Sequence, residues 1–179
     1  MPLTDERVVL VDEQDNAIGT MEKMEAHEKA ILHRAFSVLL FNEKRELLLQ
    51  QRAFSKYHCG GLWTNTCCSH PYPDEEVAAA AHRRLKQEMG ITCELEKRFE
   101  FIYKAAFDNG LTEHEFDHVF VGQFSGDPII DKAEVANWKY IAIADLKADM
   151  AQNPQLYTPW FKVIIKKMGE KKMLLSGKT

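Results

Sequence analysis

The chain has 179 residues, which fits one domain with a sizeable hydrophobic core. Its apolar fraction of 45% and charged fraction of 28% are ordinary for a soluble globular protein, and its net charge of -4 argues against general nucleic-acid binding. No apolar run approaches the roughly 20 residues of a membrane span, and the N-terminus lacks a signal pattern. We therefore expect a cytoplasmic protein that has neither nucleic acid nor membrane as a partner.

Short strands joined by hairpin-like turns alternate with a few helices along the chain. Strands are predicted over 7–11, 35–41, 46–52, 99–107, 116–124 and 138–143. Helices are predicted over 74–89 and 144–152 and from Thr158-Pro159 onward, and 21–32 is predicted to be helical or irregular. Because no repeated βαβ pattern appears, we expect an α+β fold, a mixed sheet flanked by helices. One domain is expected over 1–179, with a flexible tail from about residue 170.

Cysteine and histidine are concentrated just ahead of the helix predicted over 74–89. The chain has four cysteines, Cys59, Cys67, Cys68 and Cys93, and thiols of a cytosolic protein normally stay reduced. Metal binding or catalysis is therefore a better interpretation than a disulfide framework. A zinc knuckle built from these thiols and His70 is disfavoured, because adjacent cysteines do not match the two-residue spacing of its ligands.

The helix predicted over 74–89 contains residues at a regular and informative spacing. The chain reads Ser69-x5-Glu75-x7-Arg83-Arg84-Leu85-Lys86-Gln87-Glu88-Met89-Gly90-Ile91. This resembles the Nudix box, Gly-x5-Glu-x7-Arg-Glu-U-x-Glu-Glu-x-Gly, whose glutamates hold magnesium against a diphosphate. Ser69, Arg84 and Gln87 depart from it, the last two at carboxylate positions. A site left with Glu88 as its main carboxylate is poorly equipped to collect the several cations that drive hydrolysis. The alternative for Arg84 and Glu88 is a solvated i,i+4 ion pair.

Further motifs extend the resemblance from about Arg7 to Trp160. They are Thr20-Met21-Glu22-Lys23, Leu32-His33-Arg34-Ala35-Phe36-Ser37, Gln51-Arg52-Ala53-Phe54-Ser55-Lys56, Asn65-Thr66-Cys67-Cys68-Ser69-His70 and Glu113-His114-Glu115. In this order they resemble the type I isopentenyl-diphosphate delta-isomerases of the Nudix superfamily. The resemblance implies a Nudix-like fold and interconversion of isopentenyl and dimethylallyl diphosphate for isoprenoid biosynthesis, without the flavin of the type II enzymes.

The resemblance also implies a divalent-metal site. Its ligands would be His27, His33, His70, Glu113 and Glu115. Imidazoles with carboxylates suit manganese or zinc better than magnesium. Glu113 and Glu115 are two apart, so in a strand both side chains point to one side. The remaining histidines match no such position and are interpreted as structural: His58, His82, His114 and His118.

Cys68 matches the family's catalytic thiol, with Glu115 as its partner carboxylate. The pair would serve as acid and base on opposite faces of a substrate that passes through a carbocation-like state. Cys67 would point the other way and is interpreted as a buried apolar residue. The developing cation favours an aromatic wall, for which Trp160, Trp63 and Tyr103 are candidates, with the hydrophobic core as the alternative for both tryptophans.

The diphosphate end is expected to be bound by basic side chains. By resemblance these are Lys23, Arg52, Lys56 and Arg84, with Glu88 and the Cys68 backbone carbonyl holding magnesium. A Nudix pyrophosphohydrolase is the second function in play, favoured by the box spacing and opposed by Arg84 and Gln87. A non-catalytic diphosphate- or metal-binding module is the third, opposed by Cys68 and Glu115.

Overall fold

A mixed β-sheet forms the centre of the molecule, for which a computed structural model describes residues 6–171. The strands are β1 Arg7–Val11, β2 Ala17–Glu22, β3 His33–Phe41, β4 Glu46–Arg52, β5 Trp63–Thr64, β6 Cys67–Ser69, β7 Leu95–Ala106, β8 Thr112–Gln123 and β9 Val135–Ala142. The helices are α1 Lys23–Glu28, α2 Val77–Met89, α3 Ile143–Gln152 and α4 Pro159–Glu170, with a 3₁₀ helix Pro154–Leu156 ahead of α4. This confirms the α+β class and the mixed sheet flanked by helices.

Strand β3 organises the sheet, because it pairs with four other strands. It runs antiparallel to β1, β4 and β6 and parallel to β8. Its first residue, His33, lies opposite Glu115 of β8, and Ser37 lies opposite Cys68 of β6. Strands β7 and β9 extend the sheet by antiparallel pairing with β8 and β4. The topology thus brings the histidine, cysteine and glutamate motifs next to one another.

Both faces of the sheet are covered by hydrophobic residues. Leu47 and Leu49 of β4 pack into a cluster with residues of α3 and α4, whereas Leu48 packs with Leu85 of α2 on the other face. This is the alternation expected of a strand buried on both sides. All four leucines are fully buried, and burial of one such side chain stabilises the fold by about 1.5–3 kcal/mol.

Helix α2 begins three residues later than the sequence predicted, at Val77. Asp74 adopts a positive φ of 66°, which the start of a helix does not allow. The Glu75 carboxylate is held by the Tyr72 backbone N–H and the Arg83 guanidinium, at 2.8 Å each, so it belongs to the preceding turn. The predicted start of this helix at residue 74 was wrong.

Helix α2 ends at Met89 as predicted, and Gly90 caps it. Gly90 has φ +66°, and its backbone N–H donates to the Lys86 carbonyl at 3.0 Å. A β-carbon there would lie 2.7 Å from the Ile129 carbonyl oxygen, so a larger residue would be both strained and crowded.

Helix α4 ends at Glu170, about where the flexible tail was expected to begin. The rest of that predicted tail, 172–179, lies outside the described residues. Within residues 6–171, no helix is both long and apolar enough to cross a membrane.

Candidate active site

A cavity rich in charged side chains opens where α1, α2, β3, β4, β6 and β8 meet. Its lining is drawn from across the chain: Glu6, Lys23, Phe36, Ser37, Gln50, Arg52, Lys56, Tyr57, His58, Cys68, Ser69, His70, Arg84, Glu88, Glu113, Glu115, Glu134 and Trp160. The two clusters that the sequence singled out, around Cys68 and around Glu115, therefore lie at the same cavity.

Two fully buried histidines beside this cavity, His27 and His33, have their Nε2 nitrogens nearest to its acidic groups. His27 Nδ1 lies 2.7 Å from the Lys23 carbonyl oxygen, and His33 Nδ1 lies 2.9 Å from that of Ile31. A carbonyl oxygen only accepts, so each Nδ1 holds the proton and each Nε2 presents its lone pair. Within the described chain neither Nε2 has a hydrogen-bond partner. Metal-binding histidines characteristically donate their second nitrogen in this way.

The Glu115 carboxylate completes this group. Its Oε2 lies 2.8 Å from His70 Nε2 and 3.5 Å from His33 Nε2. His27, His33, His70 and Glu115 each offer one ligand atom, and all four atoms lie within 4.8 Å of one another. Two atoms bound to one ion at about 2.2 Å lie at most about 4.4 Å apart, so this group is close to the spacing that a single ion requires. The buried nitrogens that lack partners and the mixed nitrogen and oxygen donors both fit a divalent transition metal.

Glu113 lies beside this group, turned toward a different histidine. Its Oε2 is 4.0 Å from His27 Nε2 but 3.0 Å from His58 Nε2. Glu113 and Glu115 both lie on β8 and both line the cavity, which agrees with the prediction that their side chains point to one side. The structure thus clusters four of the five expected ligands and places the fifth next to them. His58 was interpreted as structural from the sequence, and its place at the cavity was missed.

Burial dominates the protonation of these groups. It raises the pKa of Glu113 well above its usual range, and the neighbouring Glu115 carboxylate adds to the effect. Burial alone would also raise the pKa of Glu115, but the close contact with His70 outweighs it and holds that pKa well below the usual range. Burial lowers the pKa of His70 to about 4 and that of His58 to about 3. Neutral imidazoles, the form that binds metals, are therefore favoured at neutral pH.

The adjacent cysteines lie in different environments. Cys68 is half-buried and lines the cavity, whereas Cys67 is fully buried and packs in the core beside α2. The alternation along β6 accounts for this difference and agrees with the prediction that Cys67 is an apolar core residue. Burial raises the pKa of Cys68, so its sulfur carries a proton at neutral pH.

The three candidate aromatic residues differ in how they meet the cavity and the core. Trp160 belongs to the hydrophobic core cluster and also lines the cavity, and the Arg52 guanidinium lies over its ring at 5.2 Å. Trp63 is not among the lining residues, and Lys139 covers its ring at 4.4 Å. Tyr103 is buried in the core opposite Glu115. Its hydroxyl is buried and has no hydrogen-bond partner within the described chain.

The four predicted diphosphate-binding cations all line the cavity: Lys23, Arg52, Lys56 and Arg84. Arg84 pairs with Glu88, and Lys56 pairs with Glu134. Glu88 is only 4% exposed, which rules out the solvated surface pair that was the alternative for Arg84 and Glu88. Burial alone would lower the pKa of Arg84, but the negative charges of Glu88 and Glu134 outweigh it and raise that pKa.

Glu75, the other carboxylate of the Nudix box, is not part of the cavity lining. It is committed to a two-bond ion pair with Arg83. Gln87 is exposed and accepts a hydrogen bond from Arg84 at 2.9 Å. Glu88 is thus the carboxylate of this helix that remains at the cavity, which is too few for a cluster of cations.

A second group of His, Asp and Glu is an ion-pair network. His118 contacts Asp15 at 2.9 Å and Glu100 at 3.3 Å. Arg34 holds the same Asp15, and Lys97 the same Glu100, so cationic side chains already balance both carboxylates. This group agrees with the structural interpretation of His118.

The fold and the box match one family of proteins. A NUDIX domain model matches residues 31–161. A crystal structure of a protein from Deinococcus radiodurans is similar with a TM-score of 0.76 at 17% identity, covering 90% of this chain and 98% of that chain. The MutT protein from Methanosarcina mazei Go1 has a TM-score of 0.65 at 17% identity, covering 79% and 95%. The chain belongs to the Nudix family, and the expected Nudix-like fold is confirmed.

Closer relatives define the branch of that family. Isopentenyl-diphosphate Delta-isomerase 2 of Aromatoleum aromaticum is 50% identical over 156 residues, which is 87% of this chain and 82% of the relative. Isopentenyl-diphosphate Delta-isomerase 2 of Photorhabdus laumondii is 52% identical over 161 residues, covering 90% and 91%. Within the Nudix family, the chain is a member of the isopentenyl-diphosphate Delta-isomerases.

Proposed function

We propose that this protein interconverts isopentenyl and dimethylallyl diphosphate for isoprenoid biosynthesis, with Cys68 and Glu115 as the proton-transfer pair. The observation that carries the proposal is the meeting of a protonated thiol and a buried carboxylate at one cavity that also holds four basic side chains. The family membership of the chain supports the same activity.

The reaction moves a double bond by one position and leaves the atom count unchanged. One proton is added to the terminal carbon of the double bond, and another is removed from the carbon on its far side, while the diphosphate stays intact. Cys68 and Glu115 can hold and accept these protons, because burial keeps the thiol protonated and the contact with His70 keeps Glu115 ionised. Trp160, at the same cavity, offers an aromatic face to the cation-like state between the two steps.

The diphosphate is assigned to Lys23, Arg52, Lys56 and Arg84. Arginine offers paired donors to phosphate oxygens and lysine a compact charge. Glu88 and the Cys68 backbone carbonyl are the proposed magnesium ligands at this end. Trp63 and Tyr103 lie away from the cavity lining, so any effect of theirs on substrate would be indirect.

The second divalent ion, manganese or zinc, is assigned to His27, His33, His70, Glu113 and Glu115. When bound, it would supply positive charge that keeps Glu115 ionised and fixed in orientation. The proposed chemistry needs no flavin, and its partner is the small-molecule substrate. All four cysteines of the chain are free thiols. A cytoplasmic location stays our prediction.

Hydrolysis of a diphosphate is the competing activity, because the Nudix box spacing is kept. Incubation of the purified protein with isopentenyl diphosphate and magnesium separates the two. We expect proton NMR to show the two methyl groups of dimethylallyl diphosphate, with no inorganic phosphate in the phosphorus spectrum. An unchanged carbon skeleton accompanied by released phosphate would replace our proposal with the hydrolase.

A further inference from the structure

His58 lies in the loop between β4 and β5, and its position is fixed from several sides. Its ring stacks on Phe107 at a centroid distance of 4.7 Å and an interplanar angle of 19°. The Arg52 guanidinium donates to the His58 carbonyl at 3.4 Å. Asn109 donates to the carbonyl of the preceding Tyr57 at 2.7 Å. The loop is thereby tied to the turn that leads into β8, at a residue four positions before Glu113.

Among residues 6–171, the one hydrogen-bond partner of this ring is a proposed metal ligand, and Nδ1 has none. His58 Nε2 lies 3.0 Å from Glu113 Oε2, and both side chains are buried. The other oxygen, Glu113 Oε1, is buried and has no hydrogen-bond partner among residues 6–171. A carboxylate that binds a metal has no proton to give, so in that state the imidazole must be the donor.

Such a bond has a consequence for metal binding. A buried glutamate has several rotamers, and a hydrogen bond to one oxygen selects the one that leaves the other oxygen available. Partners of this kind around metal ligands typically contribute about 10- to 100-fold to metal affinity or activity. Stacking on Phe107 alone would be a packing role and would give no such contribution.

We propose that His58 is a positioning residue that donates its Nε2 proton to Glu113 Oε2 and holds this carboxylate in place for the divalent ion. The inference rests on the metal centre of the proposed function. It adds His58 to that centre as a supporting residue, since His58 is not one of the four residues whose ligand atoms cluster there.

The test measures binding of Mn²⁺ alone to metal-free protein by competition with a chelator. His58→Phe keeps a ring to stack on Phe107 and removes the donor, so we expect affinity for Mn²⁺ to fall by about 10- to 100-fold. His58→Gln places an amide N–H near the position of Nε2 and should recover most of the loss. His58→Asn, one methylene shorter, should not. The Gln and Asn pair decides the matter even if the Phe variant folds poorly.

Two further variants separate the possible failures. His118→Phe, which breaks a buried histidine–carboxylate contact outside the cavity, should leave Mn²⁺ affinity unchanged. If Glu113→Ala weakens binding but His58→Phe and His58→Asn bind as tightly as the unaltered protein, our inference is wrong and the metal centre stands. If Glu113→Ala has no effect either, the proposed ligand set fails along with the inference. The NMR assay reports on the isomerase activity independently of both.

Discussion

Cys68→Ala is expected to lower turnover by about 10²- to 10⁴-fold, the usual contribution of a side chain that transfers a proton. Cys68 lines the cavity, and burial keeps its sulfur protonated. Alanine removes the proton while leaving the four basic side chains in place. Substrate binding should therefore persist, so that kcat falls and KM changes little. Steady-state kinetics with isopentenyl diphosphate measures both quantities.

Cys67→Ala is the matched control for this change. Its sulfur packs in the core beside α2, so the variant should lose some stability but keep turnover within the same order of magnitude. Cys93→Ala, on a half-buried thiol that packs against the same core cluster, should behave similarly. Equal turnover in the Cys68 and Cys67 variants would remove Cys68 from the mechanism.

Removal of divalent ions with a chelator is expected to abolish activity, and added ions should restore it. His70→Ala and Glu113→Ala should also retain the tightly held ion less well. His70 should have the larger effect, because its Nε2 lies within the compact group of ligand atoms whereas Glu113 lies beside it. Direct loss of a ligand should exceed the roughly 10- to 100-fold effect of an outer partner. Metal content after dialysis, measured by elemental analysis, checks this directly.

His82→Ala serves as the control for the metal variants, because His82 is exposed on α2. It should keep both the ion and the activity. Full activity in protein shown to contain no divalent metal would remove the five-ligand centre from the account.

Much of the fold followed from local patterns, and its exceptions have identifiable causes. The strands predicted over 7–11 and 46–52 have the bounds of β1 and β4, and the helix predicted over 74–89 ends at the expected residue, Met89. Strand β2 was missed because it is largely exposed, with neither an apolar face nor clear turn residues at both ends. The start of α2 was misplaced because the Glu75 carboxylate, which resembles a first-turn residue, instead binds Arg83 eight positions later.

For the site, the sequence was informative wherever a motif could be matched, and less so wherever the contact is long-range. Cys68, His70 and Glu115 were picked out, and the pairing of β3 with β6 and β8 explains why they meet. His58 was missed, because its contact with Glu113 spans 55 positions and nothing adjacent to it in the loop signals that partner. Trp63 has the residue type of an aromatic wall, but the pairing of β5 with β4 sets it beside Lys139.

The most direct test of the central claim is the reaction run in deuterium oxide. The proposed mechanism adds a proton from an exchangeable group to carbon, removes another from carbon, and breaks no bond to phosphorus. Deuterium should therefore appear on carbon in the recovered diphosphates, and no inorganic phosphate should form. Arg84 and Gln87, at positions where hydrolysis would need carboxylates, give the reason for the second expectation. Release of phosphate without any carbon-bound deuterium would contradict the isomerase and establish the hydrolase in its place.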